Sequence, residues 1–168
     1  LVRNNGWVIA RYAPHHLRDD ALRAMLDRYR NIAIRENAEP GYNEGIDELT
    51  STIESQPRLP LSLEHWDRFI GLAACRAHLI PLIQQNNAKR IALVARGKGD
   101  DLIEQVIHEA GAEVVRDDHA ADLLIAATLS PGPMLDAVIH HRATPAWTTG
   151  GALEKPMQHT THPLNDIG

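Results

Sequence analysis

The chain has 168 residues, enough for one domain, or one domain with a sizeable extension, to bury a core without covalent cross-links. Its formal net charge of -5 and its pI near 6.0 give no basic footprint for nucleic acid, so a non-specific DNA or RNA binder is disfavoured. Cys75 is the single cysteine, which excludes a disulfide framework or a thiolate zinc site built within the chain.

The sequence also gives an expectation about the compartment. A single cysteine fits a reducing cytosol. Residues 1–5 contain a charge and two amides where a signal peptide has an apolar core. No apolar run in the sequence reaches the length of about eighteen residues that suggests a membrane helix. We therefore expect a soluble, cytoplasmic chain without membrane contact.

Residues 1–60 predict a βα segment that either stands alone or belongs to the same domain as the rest. Residues 6–12 are rich in β-branched and aromatic side chains and predict a first strand, which Pro14 ends. Residues 17–31 place apolar side chains on one face and predict a helix. Residues 32–34 predict a short second strand.

The periodicity weakens between residues 36 and 60, where glycines and prolines punctuate a polar segment with a short helix around Leu49. This segment is the best candidate for a boundary. Ser62 then predicts the N-cap of a helix over residues 63–79, because a hydroxyl can accept the first backbone N–H groups. Pro81 is expected to stop or kink that helix.

The pattern after Arg90 predicts an α/β core, assigned to residues 61–150. Residues 91–95 form a short apolar run, typical of a strand buried on both faces. The elements predicted after it are a helix from Asp100 to a stop at Gly111, strands over 113–116 and 122–128, a helix begun by Ser130-Pro131 and a last short strand over 144–148. This alternation indicates a three-layer α/β sandwich around a mostly parallel sheet, with the 63–79 helix on one face. The tail, residues 151–168, is predicted to be loop-like.

Two glycines in the turn after the first core strand suggest a nucleotide site. Gly97 and Gly99 precede the predicted helix, where glycines let a backbone approach a pyrophosphate. Asp117 follows at about the spacing at which an acidic residue binds a ribose. Thr128 and Ser130 stand near the carboxyl ends of the strands, where a ligand cleft forms. These five residues are the candidate site for NAD(P) or another nucleotide, in an enzyme or a fragment of one.

Other residues of the same turn count against a nucleotide. The position of the third glycine holds Leu102. Asp100 and Asp101 place two negative charges where a pyrophosphate would sit, and Arg96 and Lys98 offset them only in part. The alternative is a tight strand-to-helix turn capped by aspartate, without a ligand.

The order of the core elements is similar to a second class of protein. Strand, helix, strand, strand, helix and strand follow one another from Arg90 to Thr149, and Lys155-Pro156 comes next. This layout resembles a response-regulator receiver, in which a threonine at a strand end and a later lysine before proline surround a phosphorylated aspartate. Thr148 or Thr149 and Lys155 stand near those places.

The acidic residues of the receiver family are missing from this sequence. Ala95-Arg96 stands where the family has acidic metal ligands, and Ala127-Thr128 stands where it has the phospho-acceptor aspartate. Oxygen ligands for Mg²⁺ are therefore lacking at that place. The resemblance implies a degenerate receiver-like module, of the sort found in hybrid histidine kinases, that binds protein partners rather than turning over a substrate. We prefer this non-catalytic regulatory module, and keep the nucleotide-binding enzyme as the alternative.

The remaining candidates are weaker. Asp117-Asp118-His119 with Asp122 could supply a metal site or a general base, but such a run is more often a solvated turn. His159 and His162 have an HxxH spacing in a segment that does not favour a helix, so surface histidines are expected and no metal. Cys75 lies among apolar helix residues, which favours core packing over nucleophilic catalysis.

Overall fold

A computed structural model describes residues 1–128 and 130–145 of the chain. The chain divides into two compact units, Leu1–Gly71 and Leu72–Gly168. We call the first the helical unit and the second the α/β unit, and describe each by itself. The predicted tail over 151–168 and the end of the last predicted strand, residues 146–148, lie outside the described residues.

The helical unit is built on three helices that pack against one another. Its helices are α1 (Val2–Tyr12), α2 (Arg18–Arg35), α3 (Glu39–Thr52) and α4 (Leu63–Ile70), with a short 3-10 helix at Ile53–Ser55 after α3. Helix α1 contacts both α2 and α3. The contact with α3 is close, because a Cβ added to Gly6 would lie 2.5 Å from the side chain of Leu49.

The strands predicted in this unit are wrong. Residues 6–12 lie in α1, where Val2, Gly6 and Ala10 are buried. Burial therefore repeats every four residues, which is the helical period and not the period of two that a strand requires. Residues 32–34 continue α2 to Arg35. The short helix expected around Leu49 is present as α3 and is longer than predicted.

The single helix predicted over residues 63–79 is also wrong. Ser62 caps α4 as expected, with its hydroxyl accepting the His65 N–H at 3.3 Å. Gly71 then adopts a φ of 88° and ends α4, because a left-handed residue cannot continue a right-handed helix. A new helix, α5 (Leu72–Gln85), begins at the next residue. It continues through Pro81, since burial of Leu79 and Ile83 on either side offsets the lost hydrogen bond.

The α/β unit contains an all-parallel sheet with helices around it, which confirms the predicted α/β class. Its strands are β1 (Arg90–Val94), β2 (Glu113–Val115), β3 (Leu123–Ala126) and β4 (Thr144–Pro145), joined in the order β2-β1-β3-β4 over the described residues. Helix α6 (Asp100–Glu109) connects β1 to β2, and α7 (Pro131–His141) connects β3 to β4. Gly111 follows α6 in the left-handed conformation that its place in the sequence predicts.

The core of the α/β unit lies between the central strands and the helices. On α6, Ile103, Val106 and Ile107 are fully buried, as the spacing of apolar residues predicts. A second cluster joins β1, β3 and α7, and its buried members are Val94, Ala126, Met134, Ala137 and Ala143. No helix within the described ranges is both long enough and apolar enough to span a lipid bilayer.

Candidate functional site

The candidate site lies where the carboxyl ends of β1 and β3 meet. The two strands are neighbours in the sheet and parallel, with Val94 opposite Ala126. The chain leaves β1 toward β2 on one side and leaves β3 toward β4 on the other. Ligands of open α/β sheets bind at such a point, because the connections diverge and leave a crevice. The structure therefore places the loops after Val94 and Ala126 at the position where a ligand would be sought.

Gly97 and Thr128, predicted separately as site residues, are in direct contact at this edge. The Gly97 N–H donates to the carbonyl oxygen of Ala127 at 2.9 Å. A Cβ on Gly97 would lie 2.7 Å from Thr128 Oγ1 and 3.2 Å from Thr128 Cβ. Thr128 is only 2% exposed, so its side chain has little room to move. The packing against Thr128 by itself disfavours any side chain at position 97.

Ser130 joins the same group through the threonine hydroxyl. The Ser130 N–H donates to Thr128 Oγ1 at 3.1 Å, which closes a short turn between β3 and α7. The hydroxyl of Thr128 is thereby engaged by the chain itself. Of the five predicted site residues, Gly97, Thr128 and Ser130 are thus brought together, with Gly99 two residues further along the same loop.

A bulge separates Val94 from Gly97. The Ala127 N–H donates to Val94 O at 2.8 Å, and a regular parallel ladder would then bond the N–H of Arg96 to Ala127 O. The N–H of Gly97 makes that bond instead, so β1 has one extra residue at its end. Ala95 adopts a φ of 50°, a conformation that costs a non-glycine residue free energy and that is often found at functional sites. This strain was not predicted, since nothing in the residue type of alanine signals it.

The backbone N–H groups from Asp100 to Ile103, at the start of α6, are bonded within the chain. Unpaired N–H groups at a helix N-terminus are what makes such a place attractive to phosphate. Here Gly99, with a φ of 92°, turns its carbonyl oxygen toward the helix. The four bonds are Asp100 N–H to Gly97 O at 3.2 Å, Asp101 N–H to Asp100 Oδ1 at 3.1 Å, Leu102 N–H to Gly99 O at 3.1 Å and Ile103 N–H to Gly99 O at 3.2 Å. A phosphate at this end would have to displace bonds that already exist.

The charges around this turn are also paired within the chain. Arg96 lies 3.5 Å from the carboxylate of Asp100 and donates a hydrogen bond to Glu104 on the next turn of α6. The guanidinium that could have attracted a phosphate is therefore held along the flank of the helix by two carboxylates. Asp101 adds an exposed carboxylate at the same end. The carboxylates of Asp100 and Asp101 repel a phosphate that approaches this end of the helix.

Asp117, the fifth predicted site residue, has a different local role. It precedes the short 3-10 helix Asp118–Ala120, and its carboxylate accepts the His119 N–H at 2.9 Å. Asp122, which the sequence grouped with it, lies at the start of β3 and accepts the N–H groups of Arg90 at 2.8 Å and Lys89 at 2.9 Å. These hydrogen bonds hold the pKa of Asp122 below its usual range.

The other reactive residue types form no site in the part of the chain that the structure describes. Cys75 is buried in α5, and burial, with a smaller effect of Glu109, raises the pKa of its thiol to about 12. A thiol with that pKa is not a nucleophile at neutral pH. Within residues 1–128 and 130–145, no three histidine, cysteine or acidic side chains are grouped so that they could hold a metal ion. His159 and His162 lie outside those ranges.

Comparison of the chain with protein-family models, with curated proteins and with solved structures finds no match in any of the three.

Proposed function

We propose that the α/β unit is a non-catalytic regulatory module that binds a protein partner and resembles a degenerate receiver domain. The proposal includes helices on both faces of the sheet, in a three-layer arrangement. It is supported by the order β2-β1-β3-β4, because doubly wound sheets of the flavodoxin type run 2-1-3-4-5. The connections through α6 and α7 step in opposite directions, and right-handed crossovers would then put the two helices on opposite faces.

The observation that carries the proposal is the closed first turn of α6. An enzyme that uses a nucleotide needs unpaired donors where the phosphates sit, and the donors from Asp100 to Ile103 are already engaged. Gly97 is accounted for by its contact with Thr128, without a ligand. Both sequence features that suggested a cofactor at the start of α6 thus have a structural explanation.

The residues after β1 and β3 support the proposal that the module lacks the chemistry of a receiver. The loop after β1 contains Ala95 and Arg96, and the loop after β3 contains Ala127 and Thr128. None of these side chains is a carboxylate that could bind Mg²⁺ or accept a phosphoryl group. A module that keeps such a layout without its acidic residues can still present a surface to a partner.

Helix α7 provides the surface on which we place the partner. Two large apolar side chains are exposed within residues 72–128 and 130–145, and both lie on α7. Leu135 is 52% exposed and Ile139 is 60% exposed. They are four residues apart and therefore lie on one face of the helix. Pro131, one turn earlier, is exposed in line with them. We propose that a protein with an apolar surface docks here, in the cytoplasm. We do not place a nucleic acid at this surface because the net charge is -5.

The partner is tested by cross-linking the wild-type chain and its variants to bound proteins in cells of the source organism and comparing what is recovered. A protein recovered with the wild-type chain should be lost with the double variant Leu135→Ser and Ile139→Ser. It should be kept with Leu59→Ser, which changes a leucine of the helical unit that is 60% exposed. Titration of the purified partner should then give the same ranking. Equal recovery with all three chains contradicts the assignment of the surface.

The nucleotide-binding enzyme stays as a second candidate because of one observation. Ala95 is strained after β1, and Thr128 is buried after the neighbouring strand β3, at the point in the sheet where ligands of this fold class bind. We test this candidate by measuring thermal stability with excess NAD(P)H and ATP, since a ligand of the native state raises the melting temperature. We expect no shift. A shift lost in Asp117→Asn and kept in Asp118→Asn would establish the second candidate and refute the first.

A further inference from the structure

A pocket in the helical unit combines two arginines and a histidine that the proposed function does not use. It has a volume of about 330 Å³ and lies where the start of α2 meets the 3-10 helix Ile53–Ser55 and the segment after it. This size is at the lower end of the range for small-molecule sites. Its polar lining residues are His15, Arg18, Asp19, Glu54, Gln56 and Arg58.

Arg58 is fixed in this pocket by the backbone of α1. Its guanidinium donates to the carbonyl oxygens of Ala10 and Ala13, at the end of α1 where carbonyl groups have no partner within the helix. The same guanidinium lies 3.4 Å from Nδ1 of His15. Leu59 N–H also donates to Arg11 O at 2.9 Å, which holds the segment in place. The position of this cation is therefore set before any ligand arrives.

Arg18, which lines the pocket, is the more buried member of its ion pairs. Its side chain is 27% exposed, and its Nε is buried without a hydrogen-bond partner among the described residues. Its terminal nitrogens lie 3.9 Å from Asp19 and 3.4 Å from Glu54, but those carboxylates are 83% and 87% exposed. Exposed pairs at these distances are screened by water and weak. The Arg18 side chain is thus mostly buried, while the carboxylates that balance it lie in solvent.

We propose that this pocket binds a small oxyanion, a carboxylate or a phosphate group, between Arg18 and Arg58. A guanidinium presents several N–H donors in one plane, which matches the geometry of two oxygens of such a group. The terminal nitrogens of Arg18 would exchange their weak, solvent-screened partners for an anion held in the pocket. Arg18 is the first residue of α2, so the helix dipole adds a favourable field for an anion. This inference concerns the helical unit and does not depend on the function proposed for the α/β unit.

The test is calorimetric titration of the full chain at constant ionic strength, with sodium phosphate in one arm and sodium malonate in the other. We expect saturable binding in at least one arm. Binding of phosphate alone would assign the pocket to phosphate groups, and binding of malonate alone would assign it to carboxylates. The variant Arg18→Gln should bind about tenfold more weakly or worse, because a hydrogen bond to a charged group is lost. The absence of saturable binding in both arms overturns the proposal.

Two further variants separate a site from general electrostatic attraction. Arg23→Gln removes an exposed arginine of the same helix, which pairs with Asp20 and not with the pocket, and it should leave the affinity unchanged. Glu54→Gln removes the carboxylate that competes for Arg18 and should tighten binding about twofold to fivefold. If circular dichroism shows that Arg18→Gln does not fold, the affinity of the Glu54→Gln variant is the test. An affinity of that variant equal to or lower than that of the wild type overturns the proposal. The proposal is also overturned if Arg18→Gln and Arg23→Gln weaken the binding of the anion equally.

Discussion

Replacing Gly97 with alanine tests whether this glycine serves packing. The added Cβ would lie 2.7 Å from Thr128 Oγ1, well inside the normal contact distance, and 3.2 Å from Thr128 Cβ. Neither side can give way easily, because Thr128 is buried and the Gly97 N–H is bonded to Ala127 O. The φ of Gly97 is not positive, so the backbone itself tolerates alanine. We therefore expect a loss of about 1–3 kcal/mol in the free energy of unfolding, the usual cost of overpacking.

Urea unfolding followed by circular dichroism measures this loss, and a double-mutant cycle assigns it to the contact. Thr128→Ala removes the hydroxyl that the new methyl group would meet. The double variant should therefore lose less than the sum of the two single losses, by about 1 kcal/mol. Gly132→Ala is the matched control, since a Cβ there meets nothing within 4 Å. A variant Gly97→Ala as stable as the wild type, or strict additivity in the cycle, would refute the packing explanation.

Three further predictions concern the interior and the helix ends. Glu109→Gln should lower stability by about 1 kcal/mol or less at neutral pH, because Arg76 and Glu109 form a two-bond pair that is about a third exposed. The hydrogen bond from Arg76 holds the pKa of Glu109 below its usual range, so the difference should be complete above the usual pKa of a glutamate and vanish as the pH falls through the lowered value in urea titrations. Cys75 should react with a thiol reagent only after unfolding, and rapid reaction of the native chain would contradict its burial. Gly71→Ala should lower the free energy of unfolding by about 1–2 kcal/mol in thermal or urea unfolding, because alanine disfavours the left-handed conformation. An unchanged stability would contradict the need for that conformation at the break between α4 and α5.

The sequence predicted the α/β unit well because its signals are local. Strands β1 and β3 are short apolar runs, and α6 has a clear apolar face from Ile103 to Ile107 between an aspartate start and Gly111. Such signals depend on neighbours within a few residues, and tertiary contacts seldom override them when they agree.

The helical unit was predicted less well because its decisive contacts are distant in sequence. The β-branched residues Val8 and Ile9 suggested a strand, but the fit of Gly6 against Leu49 selects a helix. The break at Gly71 was missed for a different reason. A glycine inside a helical pattern can be tolerated or can end the helix, and only its φ distinguishes the two.

The candidate site shows the same division between local and distant information. The sequence identified Gly97 and Thr128 as separate candidates, yet it could not show that they touch, since they are paired only through β1 and β3. It also could not show that the carbonyl oxygen of Gly99 engages the donors of α6. The acidic start of the helix, by contrast, was evident from Asp100 and Asp101 alone.

The central claim is that the start of α6 has no place for a phosphate. The most direct measurement is an NMR titration of the backbone amides of Asp100, Asp101 and Leu102 with ATP and with NADPH. We predict that these amide resonances do not shift in a saturable way, since their hydrogen bonds stay within the chain. Saturable shifts centred on these amides, with weaker shifts elsewhere, would contradict the account and make the α/β unit a nucleotide-binding protein.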